Sequence, residues 1–337
     1  MSKRIILGIT LGDPSGIGPE VVAKAINNGK FKNITPIIIG SSDVFRNALL
    51  NNNISMEVIH LSDISNLSKK PKENIIQVLD SKNPKISDFP IGKVNLNSGN
   101  YSYFWIKQAI KLTLKSELDA IVTAPINKQS FSLAGKKEIG HQEILKNLTK
   151  SLDVYTMLVS GHLSCVHLST HKSLIEACRF VTKQNIVKVI LKTHEQFKEW
   201  GIANPKIAVG ALNPHSGDNG LIGNEEQTQI IPAVKETKNL GINVTGPIAA
   251  DVVFYKAINK EFDVVIVMYH DQGHIAIKVH GFEESVSVNV GLPIIRTSVD
   301  HGTAFDIAGK GIANENSMIE AIKLGIKLVK NKNKNGV

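Results

Sequence analysis

The chain has 337 residues, 42% hydrophobic and 20% charged, the balance of a water-soluble globular protein built as one large domain or two lobes. Its net charge of +9 is spread along the sequence and only 5% of residues are aromatic, with no basic patch interleaved with rings; this argues against a nucleic-acid partner. Apolar runs are strand-sized, no leader-like core precedes Gly12-Asp13-Pro14, and Cys165 and Cys178 are the only cysteines. The expectations are therefore a cytoplasmic location, no membrane span, no disulfide framework and no cysteine metal site.

Ile5 to Ile9 reads as a first strand, continuously apolar as in a parallel sheet covered on both faces. The turn from Gly12 to Glu20 leads into a helix near Pro19, a residue suited to a first helical turn. A strand over Thr35 to Ile39 follows, then a helix for which Ser42 or Asp43 would be the cap, and Glu57 to Ile59 continues the alternation. Residues 62–100 are polar, rich in lysine and broken by prolines, which predicts surface loops with one strand over Asn74 to Val78. A helix is expected to resume at Tyr101, with Trp105, Ala109 and Leu112 on one face, followed by a strand from Leu118 to Val122. Such alternation of strand and helix predicts an α/β fold with a mostly parallel sheet.

One arrangement then occurs three times. The apolar run Cys165 to Leu168 leads to His171, Ile207 to Leu212 leads to His215, and Val264 to Tyr269 leads to His270 in a polar, Gly-punctuated loop, His270-Asp271-Gln272-Gly273-His274. Ligands of open α/β sheets bind beyond the C-terminal strand ends. Three imidazoles meeting there, with positions left for substrate, would form a catalytic metal site. His162, His167, His274 and His280 read as ordinary histidines. The last helix is marked by Ser317 and Glu320 in a capping-box pattern and by a stripe of Ile319, Ile322 and Ile326.

Six motifs carry a resemblance. They are Gly12 to Glu20, Thr123 to Lys128, Gly140-His141, Leu212 to His215, Tyr269 to Gly273 and Arg296 to Ala304. Together, in this order, they resemble the 4-hydroxythreonine-4-phosphate dehydrogenase family from near residue 5 to near residue 325. More distantly, Gly16 to Glu20 and His301 to Asn314 are similar to isocitrate and isopropylmalate dehydrogenases. The resemblance implies two α/β lobes with mostly parallel sheets, residues 1–130 plus 298–337 and residues 131–297, with the active site in their cleft. It also implies a homodimer whose second subunit completes that site.

By the same resemblance, His171, His215 and His270 would hold one divalent metal, and three imidazoles favour zinc or cobalt over magnesium. Substrate contacts fall on His141, Gln142, Lys278, Ser287 and Arg296. Gln142 stands where the family usually has Thr, and Ser287 where it usually has Asn. Asp251 and Asp271 would orient ligand imidazoles or assist proton transfer. A cofactor loop is implied at His301, Gly302, Thr303, Ala304, Asp306 and Asn314, with the Asp306 carboxylate favouring NAD over NADP. The Gly12 to Glu20 turn lacks G-x-G-x-x-G spacing and receives no cofactor contact.

The implied reaction is NAD-dependent oxidation and decarboxylation of 4-phosphohydroxy-L-threonine to 3-amino-2-oxopropyl phosphate, in pyridoxine 5'-phosphate biosynthesis. The alternative is the same chemistry on D-threonate or D-erythronate 4-phosphate, toward which the segments from His270 to Ile275 and from Asp306 to Lys310 lean. A phosphoryl or acyl transferase is a more remote alternative.

Overall fold

The computed structural model describes residues 4–70, 72–80, 89–138 and 140–334. In chain order the first stretch contains β1 (Ile5–Thr10), α1 (Gly18–Asn28), β2 (Ile34–Ile39), α2 (Ser42–Asn51), β3 (Glu57–Leu61), β4 (Ile75–Leu79), α3 (Leu96–Leu114), β5 (Ala120–Thr123), α4 (Lys128–Leu133) and α5 (His141–Thr149). Next come β6 (Tyr155–Ser160), β7 (Leu163–His167), α6 (Leu174–Phe180), α7 (Lys183–Glu199), β8 (Ile207–Gly210), α8 (Ile231–Asn239), β9 (Val244–Ile248), α9 (Ala250–Ile258), β10 (Val264–Val267), α10 (His270–Gly281) and β11 (Val286–Val290). The chain closes with β12 (Arg296–Val299) and α11 (Asn316–Lys334).

Contacts divide the chain into two compact units. The first runs to Leu152 and includes Leu292–Val329; the second is Asp153–Gly291 with the chain from Lys330 onward. The first is larger than a division at residues 130 and 298 would give. Its extra pieces belong there physically, because α5 packs on α3 and β12 pairs with β5.

In the first unit the strand order is β3-β4-β2-β1-β5-β12, with every pairing parallel. All six residues of β1 are buried, as expected of a strand covered on both faces. Helix starts differ from expectation where a nearer cap is available. The α2 cap is Ser41, not Ser42 or Asp43, and its hydroxyl accepts from the Val44 N–H at 3.5 Å. Helix α3 starts five residues before Tyr101 because Asn95 Oδ1 accepts from the N–H groups of Asn97 and Ser98 at 2.8 and 3.2 Å. Ser317 lies inside α11 rather than at its cap position, and its hydroxyl accepts from the Asp300 N–H at 3.2 Å. Met318, Ile322 and Ile326 supply the buried face of that helix.

In the second unit the order is β11-β6-β7-β10-β8-β9. Strand β6 is antiparallel to both β11 and β7, while β7, β10, β8 and β9 are parallel to one another. One core cluster contains Leu158, Cys165, Ala208, Val265 and Val267, against which Val253 and Ala257 of α9 and Ile277 of α10 pack. Burial pushes the Cys165 thiol up, leaving it a packing residue rather than a nucleophile. Among the described residues, no helix is long and apolar enough to cross a membrane.

Candidate active site

The strand order of the second unit brings its histidines to one edge. Strands β7, β10 and β8 are adjacent and parallel, so their C-terminal ends lie side by side. His171 follows β7 in the loop before α6, His215 follows β8, and His270 follows β10. His171 and His215 are exposed and His270 is half-buried. Convergence stops at the edge: among the described residues, no three His, Cys, Asp or Glu side chains are gathered as a metal-holding group. The donor set suits a borderline metal, and its rings are delivered without being closed into one ligand shell.

His270 opens α10 rather than a loop. Its Nδ1–H donates to Asp271 Oδ1 at 2.6 Å, which leaves the lone pair on Nε2. Asp251 is exposed in the first turn of α9.

His215 sits in an unusual backbone. From His215 to Asn219 every residue has positive φ, between 43° and 78°, and only Gly217 among them adopts that region freely. A buried carboxylate anchors the start of this turn. Glu226 Oε1 accepts from the N–H groups of Leu212 and Asn213 at 2.9 and 2.8 Å, and Oε2 accepts from Asn213 Nδ2 at 2.8 Å. Glu226 begins a single π-turn, Glu226–Ile230, that runs into α8. Nothing in its sequence context marks this residue, because its donors lie thirteen and fourteen positions away.

Beside His270, two histidines read from sequence as ordinary come together. The His274 ring is stacked on His270 with centroids 3.5 Å apart and planes at 11°. His274 Nδ1 lies 3.1 Å from His167 Nε2, and His167 Nδ1 lies 3.2 Å from the Thr156 carbonyl oxygen. Burial first, then the nearby His274, pushes the His167 pKa down to about 3, so this ring is neutral at ordinary pH.

Of the candidate substrate contacts, His141, Gln142 and Arg296 belong to the first unit and Lys278 and Ser287 to the second. Arg296 is buried on β12, where Nε and Nη2 both donate to Thr123 Oγ1, at 3.1 and 2.7 Å. Burial pushes its pKa down to about 9. His141, the first residue of α5, is pushed well below the usual histidine range by burial and then by the Arg296 charge. Its Nε2 is shielded from solvent and meets no hydrogen-bonding partner among the described residues. Lys278 donates to Ser285 Oγ at 3.1 Å, and Ser287 is half-buried on β11 with Asn289 buried on the same face.

The expected cofactor loop and the Gly12 to Glu20 turn lie together in the first unit. Ile17 N–H donates to the Thr303 carbonyl at 3.0 Å, and a Cβ on Gly16 would stand 2.8 Å from Thr303 Cβ and from its carbonyl oxygen. Glu20 Oε1 accepts from the Ala313 N–H and Lys24 Nζ, both at 2.8 Å, while Lys24 also reaches the carbonyls of Gly311 and Ala313. This turn thus braces the segment holding His301, Gly302, Thr303 and Ala304. Ala304 has φ of 41°. Asp306 and Asn314 are exposed. Asp13, wholly buried in the turn, accepts from the Ser15 N–H at 2.9 Å, and burial pushes its pKa up to about 6.

A family model described as pyridoxal phosphate biosynthetic protein PdxA matches residues 32–325. The chain belongs to the PdxA family. A relative from Oceanobacillus iheyensis, provisionally named D-threonate 4-phosphate dehydrogenase, is 42% identical over 98% of this chain and all of its own length. Two solved structures are named 4-hydroxythreonine-4-phosphate dehydrogenase. That from Burkholderia phymatum is 39% identical with a TM-score of 0.85, covering 97% of this chain and 99% of the other. That from Klebsiella pneumoniae is 36% identical with a TM-score of 0.88, covering 97% of this chain and 100% of the other. The α/β class with a mostly parallel sheet is therefore the family's own.

Proposed function

We propose that this PdxA-family protein is a metal- and NAD-dependent dehydrogenase that oxidises and decarboxylates D-threonate 4-phosphate. The observation that carries this reading is the 42% identity, over essentially the whole chain, to a relative provisionally named for that activity. Gln142 and Ser287, which depart from the family pattern at the expected substrate positions, leave room for a substrate other than 4-phosphohydroxy-L-threonine. A second reading, 4-phosphohydroxy-L-threonine, is favoured by the names of the two solved structures at 39% and 36% identity.

The chemistry balances for D-threonate 4-phosphate. Removing hydride from C3 and a proton from its hydroxyl gives a ketone β to the carboxylate; loss of carbon dioxide leaves the electron pair of the broken bond on C2, and uptake of one proton there gives dihydroxyacetone phosphate. Hydride goes to NAD, whose adenosine end we assign to the loop of His301, Gly302, Thr303, Ala304 and Asp306, with Asn314. His171, His215 and His270 would hold a zinc or cobalt ion, which when bound acts as a Lewis acid on a substrate oxygen. Asp271 fixes His270 in the tautomer that presents Nε2. His141 and Arg296 offer an imidazole nitrogen that meets no partner among the described residues, beside a buried cation, a combination suited to an anionic group of the substrate. Lys278 and Ser287 supply further donors.

Exposed apolar stripes on α9 (Val252, Tyr255, Ile258) and on α10 (Ile275, Val279) continued by Phe282 just past its end support a homodimer; Val279 is 83% and Phe282 72% exposed. A monomer in light scattering would refute that part. The function itself is tested by following NADH absorbance with each phosphate, before and after metal removal. NAD reduction on D-threonate 4-phosphate, lost on chelation and regained with zinc or cobalt, is expected. Inactivity on both phosphates would overturn the reading.

A further inference from the structure

The imidazole of His270 is gripped in two ways. Its edge is tied to Asp271, a carboxylate that is itself exposed. Its face lies on His274, and His274 is fixed from behind. His274 Nδ1 is 3.0 Å from the His270 carbonyl oxygen and 3.1 Å from His167 Nε2. The tautomers follow from one fixed acceptor. The Thr156 carbonyl can only accept, so His167 carries its proton on Nδ1 and its Nε2 accepts. His274 must then donate from Nδ1. A line of bonds runs from β6 through β7 to α10 and ends in the stacked ring.

The space for this pair is built into the backbone. Gly273 lies within α10, where glycine costs about 1 kcal/mol of helix stability. A Cβ there would stand 2.4 Å from His167 Nε2 and 2.9 Å from Cε1. Any other residue at 273 would push His167 away. An apolar side chain at 167 would fill the core without such an arrangement, and a buried imidazole has to be hydrogen-bonded to be tolerated.

We propose that His274 and His167 are positioning residues that hold the His270 ring in its metal-binding orientation. This rests on the reading of His270 as a metal ligand. Of the three candidate ligands, His270 is then the preset one, and the exposed His171 and His215 complete the shell around it.

The test uses the full-length metal-free protein titrated with Co(II), reading the visible absorption band and the dissociation constant against a competing chelator. His274→Ala and Gly273→Ala should each weaken Co(II) binding about 10- to 100-fold and shift the band, with cooperative melting retained. Gly273→Ala is informative because it keeps every histidine while its Cβ presses on His167 and, at 2.8 Å, on Val267 Cγ2. His274→Phe, which keeps a stacked ring but loses the bond to His167, guards against a packing defect and should still weaken binding. Wild-type affinity and band in folded variants would overturn the proposal. So would loss of cooperative melting in all three variants, which would assign the pair to the fold. If His270→Ala binds Co(II) as tightly as wild type, the metal assignment itself fails, a separate result that overturns both.

Discussion

Replacing Glu226 by alanine removes the acceptor of three hydrogen bonds at the root of the His215 turn. Stranding a buried donor costs about 1–3 kcal/mol, and more when its partner was charged. Leu212 and Asn213 are only half-buried, so water recovers part of that loss, and the buried carboxylate's own desolvation is relieved. The net expectation is about 2–4 kcal/mol. Beyond this anchor lies backbone that is uphill for non-glycine residues by about 1–2 kcal/mol each, so the turn should relax locally before the unit unfolds. Amide hydrogen exchange at Leu212 and Asn213 reads this directly, with protection falling about 30- to 700-fold. Glu226→Gln keeps one oxygen for the two backbone donors and should fall between. Unchanged exchange at both amides in the alanine variant would refute the role given to this carboxylate.

Other consequences are equally open to measurement. Gly16→Ala should push Thr303 and raise KM for NAD about tenfold with little change in kcat; an unchanged KM would disconnect the turn from the cofactor loop. Asp13 has a folded pKa of about 6 against an ordinary 3.8, so the folded state holds its proton more tightly. Stability then falls as pH rises through that window and stays lower above it. Asp13→Asn should be more stable than wild type at pH 7.5, by up to about 3 kcal/mol, with the gain vanishing below pH 4; a pH-independent difference would contradict this. Arg296→Lys loses the guanidinium fork on Thr123 and should raise KM for the phosphorylated substrate at least about tenfold; unaltered kinetics would remove Arg296 from the substrate set.

Strands buried on both faces were legible because they are continuous apolar runs, and the three histidines beyond β7, β8 and β10 could be placed at strand ends for that reason. Boundaries set by single side chains were less legible, as Asn95 starting α3 and Ser317 bonding Asp300 illustrate. The β6–β7 hairpin was missed because only its second strand stood out. His274 was passed over because the segment from His270 was expected as a loop. On a helix, positions 270 and 274 are one turn apart, and that spacing is the signal that would have paired them. Glu226 and His167 gave no local signal, since their partners come from distant parts of the chain. The Gly12 to Glu20 turn, given no cofactor contact from sequence, is joined to Thr303 by the Ile17 N–H, a bond between segments almost three hundred residues apart that no local pattern announces.

The central claim is that imidazoles from three neighbouring strand ends hold one catalytic cation. Crystals of the zinc-loaded protein, measured on both sides of the zinc absorption edge, test it most directly. The account predicts one strong anomalous peak per chain within bonding distance, about 2.0–2.1 Å, of a ring nitrogen from each of His171, His215 and His270. A peak bound elsewhere, or none at full zinc occupancy in solution, would contradict it.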